Sequence, residues 1–258
     1  MAEQLSLRLE PALPRPGDVV PMWAVPRRDP FDSPDFLFEP SWGGHRVLAF
    51  IEPADRPGGG EVRLVDGTGR ALASVLPELA GLAVRVAARS AVLDGELVVV
   101  DARGRADDEA LRMRLSGLPG RPVALLVFDL LHVDGVWLLG RPLEKRREAL
   151  RRVLRPGDEV VMVPSIAVEG LALHAAVAAQ GIAGVLARRR TSPYLPGVRS
   201  RLWRSIVAVP RPAGEQAGLD APPDDAGALR GDDGAAIGTA PVLALFRRLP
   251  LEHEDGPG

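Results

Sequence analysis

Amine chemistry in this chain has a single candidate: Lys145 is the only lysine among 32 Lys and Arg residues. A lysine nucleophile needs a lowered pKa, yet Lys145 stands in the Arg-rich stretch 144–152, whose charges read as a solvated helix face. Cysteine is absent, which excludes disulfides, thiol catalysis and Cys-ligated zinc. The four histidines, His45, His132, His174 and His253, lack the spacing of metal ligands, so no metal site is expected. Polyanion binding has better material. Arg188, Arg189 and Arg190, followed by Arg199, Arg201 and Arg204, form a basic cluster able to contact nucleic-acid phosphates. No Walker-type loop or Gly-x-Gly-x-x-Gly segment occurs, and Gly58-Gly59-Gly60 has no following helix or lysine, so it reads as a turn.

The elements that must position these groups are short. Strand-like apolar runs occupy 46–51, 92–100, 123–131, 159–163 and 184–189, with hairpin-type turns at Gly58-Gly59-Gly60 and Asp66-Gly67-Thr68-Gly69. A helix is expected to start at Pro142, set Leu143, Leu150, Val153 and Leu154 on one side, and stop before Pro156-Gly157. A second is expected over 168–180, with Leu171, Ala175 and Ala178 inward and Gly181 as its C-terminal cap. Two or three strands between single helices indicate α+β with antiparallel sheets.

The 258 residues are 46% hydrophobic and 26% charged, enough for one large domain or two small ones. The longest apolar run, 123–128, is far too short to span a bilayer, and no signal peptide is indicated, so a cytoplasmic protein without membrane contact is expected. Residues 211–258 are rich in Ala, Gly, Pro and Asp and carry nine acidic and four basic side chains. This divides the chain into an N-terminal extension (1–20), an ordered and mildly basic body (21–209), and a disordered acidic tail (210–258).

Several stretches of the body, in register from 21 to 207, resemble the adenylation (nucleotidyltransferase) domain of ATP-dependent DNA ligases, particularly the bacterial end-joining type. Pro21-Met22-Trp23-Ala24 and Phe36-Leu37-Phe38-Glu39-Pro40 lead into Ser41-Trp42-Gly43-Gly44-His45-Arg46, where the family reads Lys-Trp-Asp-Gly-Tyr-Arg. Leu93-Asp94-Gly95-Glu96-Leu97-Val98 resembles the third motif unchanged, and Phe128-Asp129-Leu130-Leu131 with Asp134-Gly135 resembles the adenine-stacking segment. Gly104, Asp107, Leu111 and Arg114 keep the spacing of a linker helix, with Asp108 where Phe is usual. Arg141-Pro142-Leu143 with Arg146-Arg147 resembles the next helix. The fourth and fifth motifs follow in order at 184–189, Ser192-Pro193-Tyr194, Pro196-Gly197, Arg199-Ser200 and Trp203.

The resemblance implies a nucleotidyltransferase (ATP-grasp-like) fold of packed antiparallel sheets flanked by helices. It also implies a reaction in which a lysine amine takes AMP from ATP, with magnesium, and passes it to a DNA 5′-phosphate. The groups for that reaction are missing here. Ser41 stands at the lysine, Gly43 at the following Asp, Ala183 at a metal-placing Glu, and Ser205 and Val207 at two phosphate-contacting lysines. The family's Ser-Arg-Asn-Gly turn appears as Asp66-Gly67-Thr68-Gly69, without its Arg. Phosphoryl transfer is mostly positioning and charge neutralisation, so losing these charges together removes the rate enhancement.

Ligand-type groups remain. Glu39, Arg46, Glu96, Phe128 and Arg188 are the expected nucleotide-binding set. Each also has a structural reading: Glu39 and Arg46 as a mutual pair, Glu96 as an edge-strand carboxylate, Phe128 as core. Arg189, Arg199, Arg201 and Arg204 are the expected DNA-binding set. The OB-fold that follows the fifth motif in the family is expected to be lacking, since only 51 residues follow Val207. The resulting expectation is an inactive, ligase-like pseudoenzyme associated with DNA repair or recombination, with DNA and repair proteins as possible partners and ATP and magnesium as possible ligands. The alternatives are an active nucleotidyltransferase with an altered mechanism and an interaction protein that uses no nucleotide.

Overall fold

The computed structural model describes residues 19–209 apart from residue 53, so the acidic tail and nearly all of the N-terminal extension lie outside the described residues. In chain order the elements are β1 (Trp23–Pro26), β2 (Ser33–Ser41), β3 (His45–Ile51), β4 (Val62–Asp66), β5 (Ala91–Val98), α1 (Asp108–Leu115), β6 (Ala124–Val133), β7 (Val136–Trp137), α2 (Leu143–Val153), β8 (Val160–Met162), β9 (Ile166–Val168), α3 (Gly170–Ala179), β10 (Gly184–Arg189) and β11 (Arg199–Val207). A 3₁₀ segment, Pro77–Arg85, lies between β4 and β5. The α+β class is as expected.

Two sheets result. One has the order β1-β11-β10-β2-β9, and the other β4-β3-β5-β6-β7, with β8 also on β6. Most pairs are antiparallel, as expected, but β1 pairs β11 and β8 pairs β6 in parallel. In each case the partners are distant in sequence, so no hairpin dictates their direction. The sheets face each other across a layer containing Met22, Leu48, Phe50, Leu186, Tyr194 and Trp203. Behind the six-stranded sheet a larger core takes in Val47, Leu93, Val127, the 3₁₀ residues Leu79 and Leu82, and Leu150 of α2. β5 is buried along its whole length, including the Asp94-Gly95-Glu96 step that interrupts its apolar residues.

Both expected helices form, with corrected faces. α2 follows Pro142 and buries Leu143 and Leu150, but Arg146 and Arg147 are buried beside them, so only part of the Arg-rich stretch is a solvated face. Lys145 is on the exposed part and pairs with Glu148. α3 starts at Gly170, after β9, and turns Leu173 and Val177 inward, while Leu171 is 49% exposed. Gly170 fixes this rotation: a Cβ there would lie 2.4 Å from Phe38 Cε1 and 2.2 Å from the Phe31 carbonyl oxygen. Gly181 ends the helix with φ +71°, as expected for a left-handed cap.

Two histidines make the fold acid-sensitive. His132 of β6 is buried edge-on to Trp137 at 5.2 Å, and His45 of β3 lies 3.3 Å from Asp66. Burial holds the pKa of each below the ordinary histidine value, with Asp66 opposing the shift at His45 and Asp134 at His132. The unfolded chain therefore takes up these protons first as pH falls below about 6.5. Stability is full above that value and is lost as pH falls toward the folded pKa. The thermal midpoint is expected to drop between about pH 7 and 5, before most carboxylates titrate, and an H45Q/H132Q double variant should flatten the drop. Parallel curves for the two proteins would exclude the histidines as its source.

Candidate nucleotide cleft

The cleft is assembled from both sheets and α2. β2 contributes Glu39 and Ser41, and β10 contributes Arg188, whose strand pairs with β2 so that Leu186 lies opposite Glu39. From the other sheet, β3 places Arg46 opposite Glu96 of β5. β5 shifts register against β6 between Asp94 and Gly95, which sets Asp94 opposite Asp129 and leaves Phe128 beside the shift. Gly95 is required there: a Cβ would lie 2.6 Å from the Leu126 carbonyl oxygen. α2 supplies Arg146 and Arg147 from its buried face.

These charges join in a desolvated network. Arg146 bonds Asp129 bidentately at 2.9 and 2.8 Å. Arg188 reaches Asp129 at 3.0 Å and Glu39 at 2.8 and 2.7 Å, and it also donates to the Phe128 carbonyl oxygen at 2.7 Å. Arg147 pairs with Glu39 and donates to the Val163 carbonyl oxygen at 2.7 Å. Arg46 holds Asp94 through two 2.6 Å bonds, and the Tyr194 hydroxyl donates to the same carboxylate at 2.7 Å. The expected alternative pairing of Glu39 with Arg46 is therefore corrected. Each takes a different partner because they lie on facing sheets and a buried counter-charge stands nearer to each.

The energetics follow from burial. Desolvation alone would raise the Asp129 pKa, but Arg146 and Arg188 outweigh it and hold the carboxyl below its ordinary range. For Arg147 burial wins over the attraction of Glu39, and its pKa falls to about 10. The Tyr194 hydroxyl is pushed well above its ordinary value by burial and by Asp94. Four arginines (46, 146, 147, 188) thus pair with three carboxylates (Glu39, Asp94, Asp129), and Glu96 lines the same cleft. Bidentate guanidinium–carboxylate geometry of this kind offsets the desolvation each charge suffers.

Little of this apparatus is open to a ligand. The Arg46 guanidinium lies 4.4 Å from the Phe128 ring centroid, where a stacked base would have to sit, and Arg188 lies 5.1 Å from it. Glu96 accepts from the backbone N–H groups of Trp42 at 3.1 Å and Gly44 at 3.0 Å, so it fastens the β2–β3 connection. The cavity bounded by Glu39, Ser41, Arg46, Glu96 and Phe128 measures about 20 Å³, room for one water or two. Ser41 is buried, and its hydroxyl accepts a 3.4 Å contact from the Gly43 N–H. Ala183 and Ser205 are buried and uncharged, and Val207 is 44% exposed. Among the described residues no three His, Asp or Glu side chains lie close enough to hold a metal ion. As the side chains stand, Arg46 and Arg188 cover the ring on which a base would stack, and the cavity is smaller than a nucleotide.

The expected DNA-binding set divides into engaged and grouped members. Arg199 donates to the Ala24 carbonyl oxygen at 2.9 Å, and Arg189 pairs with Asp35 at 3.3 Å. Arg201 and Arg204 lie on β11, close to Arg27. Asp94, Asp129, Arg146, Arg147 and Tyr194 carry the cleft's interactions without having been singled out for a role there. The available signal was an acidic residue inside an apolar run, Leu93-Asp94 and Phe128-Asp129, since a carboxylate in a buried strand requires a paired cation.

Comparison with known proteins identifies the family and the fold. Residues 29–206 match the family model described as ATP dependent DNA ligase domain. A probable DNA ligase of Rhodococcus opacus is 38% identical over 152 residues, covering 57% of this chain and 30% of that protein. The multifunctional non-homologous end joining protein LigD of Mycobacterium bovis is 36% identical over 168 residues, covering 65% and 21%. The chain therefore spans between a fifth and a third of the length of these curated relatives. A solved mycobacterial DNA ligase D, complexed with ATP and MES, superposes with a TM-score of 0.63 at 30% identity, covering 74% of this chain and 60% of that one.

Proposed function

The chain belongs to the ATP-dependent DNA ligase domain family, with its α+β nucleotidyltransferase fold, and from that premise we propose that it is a catalytically inactive adenylation-domain pseudoenzyme associated with DNA repair. The adenylation domain spans 21–209. The observation that carries the reading is Ser41, a short buried hydroxyl at the position of the lysine nucleophile. Its hydroxyl oxygen accepts from the Gly43 N–H, and among the described residues no hydrogen bond joins it to the carboxylates of Glu39 and Glu96, which line the same cavity. Arg188, the expected phosphate-contacting cation, spends its donors on Glu39, Asp129 and the Phe128 carbonyl oxygen.

What the fold keeps is a rigid scaffold whose charges neutralise each other. Association with DNA, and with DNA end-joining proteins as partners, is supported by family membership and by the arginines of β11. Intact-protein mass after incubation with ATP and magnesium tests the catalytic part, with an active family ligase as control. The expected result is no added mass, and an added adenylate would overturn the reading. Ser41→Lys alone is expected to leave the mass unchanged as well, because Ala183, Ser205 and Val207 still lack the charges that phosphoryl transfer requires. Adenylation of that variant would show that the nucleophile was the only essential loss.

A further inference from the structure

The side of the five-stranded sheet turned away from the cleft carries a second concentration of positive charge. Residues paired across antiparallel strands point to the same side, so Phe38, Ala187 and Arg204 share one face, with Phe36 and Arg189 further along it. Glu39 and Leu186, one position away, face the cleft. α3 covers part of the outer face, packing Leu173 and Val177 near Phe38, Val185 and Ile206. Beyond the helix Phe31 folds over the sheet, edge-on to Phe36 and to Phe38 with centroids 5.2 Å away in each case. The Arg27 guanidinium caps this stack 4.2 Å from the Phe31 centroid.

Backbone geometry brings the arginines together. Arg27 N–H donates to the Ser205 carbonyl oxygen at 2.8 Å, which sets Arg27 beside Arg204. Arg201 lies in the irregularity of β11 between the Ala24–Ser200 and Val25–Arg204 pairs. Burial, then the charges of Arg201 and Arg27, hold the Arg204 pKa below its ordinary value, which places both guanidiniums within reach of Arg204. Of the nearby carboxylates, Asp32 accepts from the Leu171 N–H at 2.9 Å and Asp35 pairs with Arg189, while Arg27 Nε donates to the Asp29 carbonyl oxygen at 2.8 Å. Among the described residues no ion pair involves Arg27, Arg201 or Arg204. Such a cluster repels itself, and an anionic ligand relieves that repulsion.

We infer that this outer face binds single-stranded DNA, with phosphates on Arg27, Arg201 and Arg204 and bases over the outer side of the Arg27 guanidinium, which itself covers Phe31. The inference rests on the DNA association proposed above and adds the surface and the strandedness. Planar guanidinium and aromatic groups beside unneutralised cations suit unpaired bases, whose faces a duplex conceals. DNA held here would lie on the opposite side of the sheet from Ser41, so binding needs no nucleotide chemistry.

The test is fluorescence anisotropy of the full chain with a labelled oligothymidylate of about 16 nucleotides and with a duplex of equal length. The oligothymidylate is expected to bind more tightly than the duplex, with a log–log salt slope near −2 for three arginines at about 0.7 each. R201E/R204E is expected to lower its affinity at least about tenfold, with an unchanged circular dichroism spectrum. Should that variant fail to fold, R201E alone alters an exposed side chain and is expected to lower affinity about threefold. Undiminished binding by the charge-reversed protein would overturn the surface assignment while leaving DNA association standing. Duplex binding as tight as that of the single strand would overturn the strandedness, and no binding to either would remove the DNA association itself.

Discussion

Asp129→Asn is expected to destabilise the domain by about 3–5 kcal/mol, the usual cost of removing one partner from a buried charge pair. Asp129 serves two guanidiniums, Arg146 through both oxygens and Arg188 at 3.0 Å, and all three side chains are fully buried. Asparagine keeps the shape and leaves two cations in the interior with one fewer anion. A typical domain has only about 5–15 kcal/mol in hand, so the variant should unfold at much lower urea concentration with an unchanged m-value. A loss below about 1 kcal/mol would mean that these charges behave as exposed pairs do.

Trp203→Ala should have a comparable effect, about 3–5 kcal/mol, through packing. The indole is fully buried between the sheets, edge-on to Tyr194 at 5.6 Å, with the Arg188 and Arg46 guanidinium carbons 5.0 and 5.7 Å from its ring centroid. Its truncation opens a cavity and takes a π-face from two buried cations at once. Urea unfolding measures the loss, and Trp203→Phe, which retains a ring, is expected to recover more than half of it. Equal losses for the two substitutions would locate the effect in the indole N–H, which contacts Ser192 Oγ at 3.4 Å.

Most strands of the body were legible because burial writes itself as apolar runs. The interval 184–189 coincides with β10, and 46–51 misses β3 by one residue. The helix faces were less legible. α2 buries two arginines that a hydropathy pattern assigns to solvent, because their counter-charges, Glu39 and Asp129, lie 108 and 17 residues away. α3 turns on the fit of Gly170 against Phe38, a contact that periodicity does not encode. The parallel β1–β11 and β6–β8 pairs were likewise invisible, since no turn joins their strands. Within the cleft, residue types named the expected ligand-binding groups. They could not reveal that Arg46 covers Phe128 or that Glu96 is spent on backbone, because both depend on side chains meeting across strands.

The parallel pairing of β1 with β11 also governs how the molecule is made. Arg199 bonds the Ala24 carbonyl oxygen across 175 residues of chain, so the five-stranded sheet cannot close until its last strand is available. β3, β4, β5 and β6 have all emerged much earlier and pair antiparallel with one another. During synthesis the six-stranded sheet can therefore form while β1 and β2 still wait for partners, with unpaired edges open to other chains. Folding dominated by such distant pairing is slow. The step that completes the cleft waits for β11, and a chain truncated before residue 199 would lack both Trp203 and the strand that seals β1.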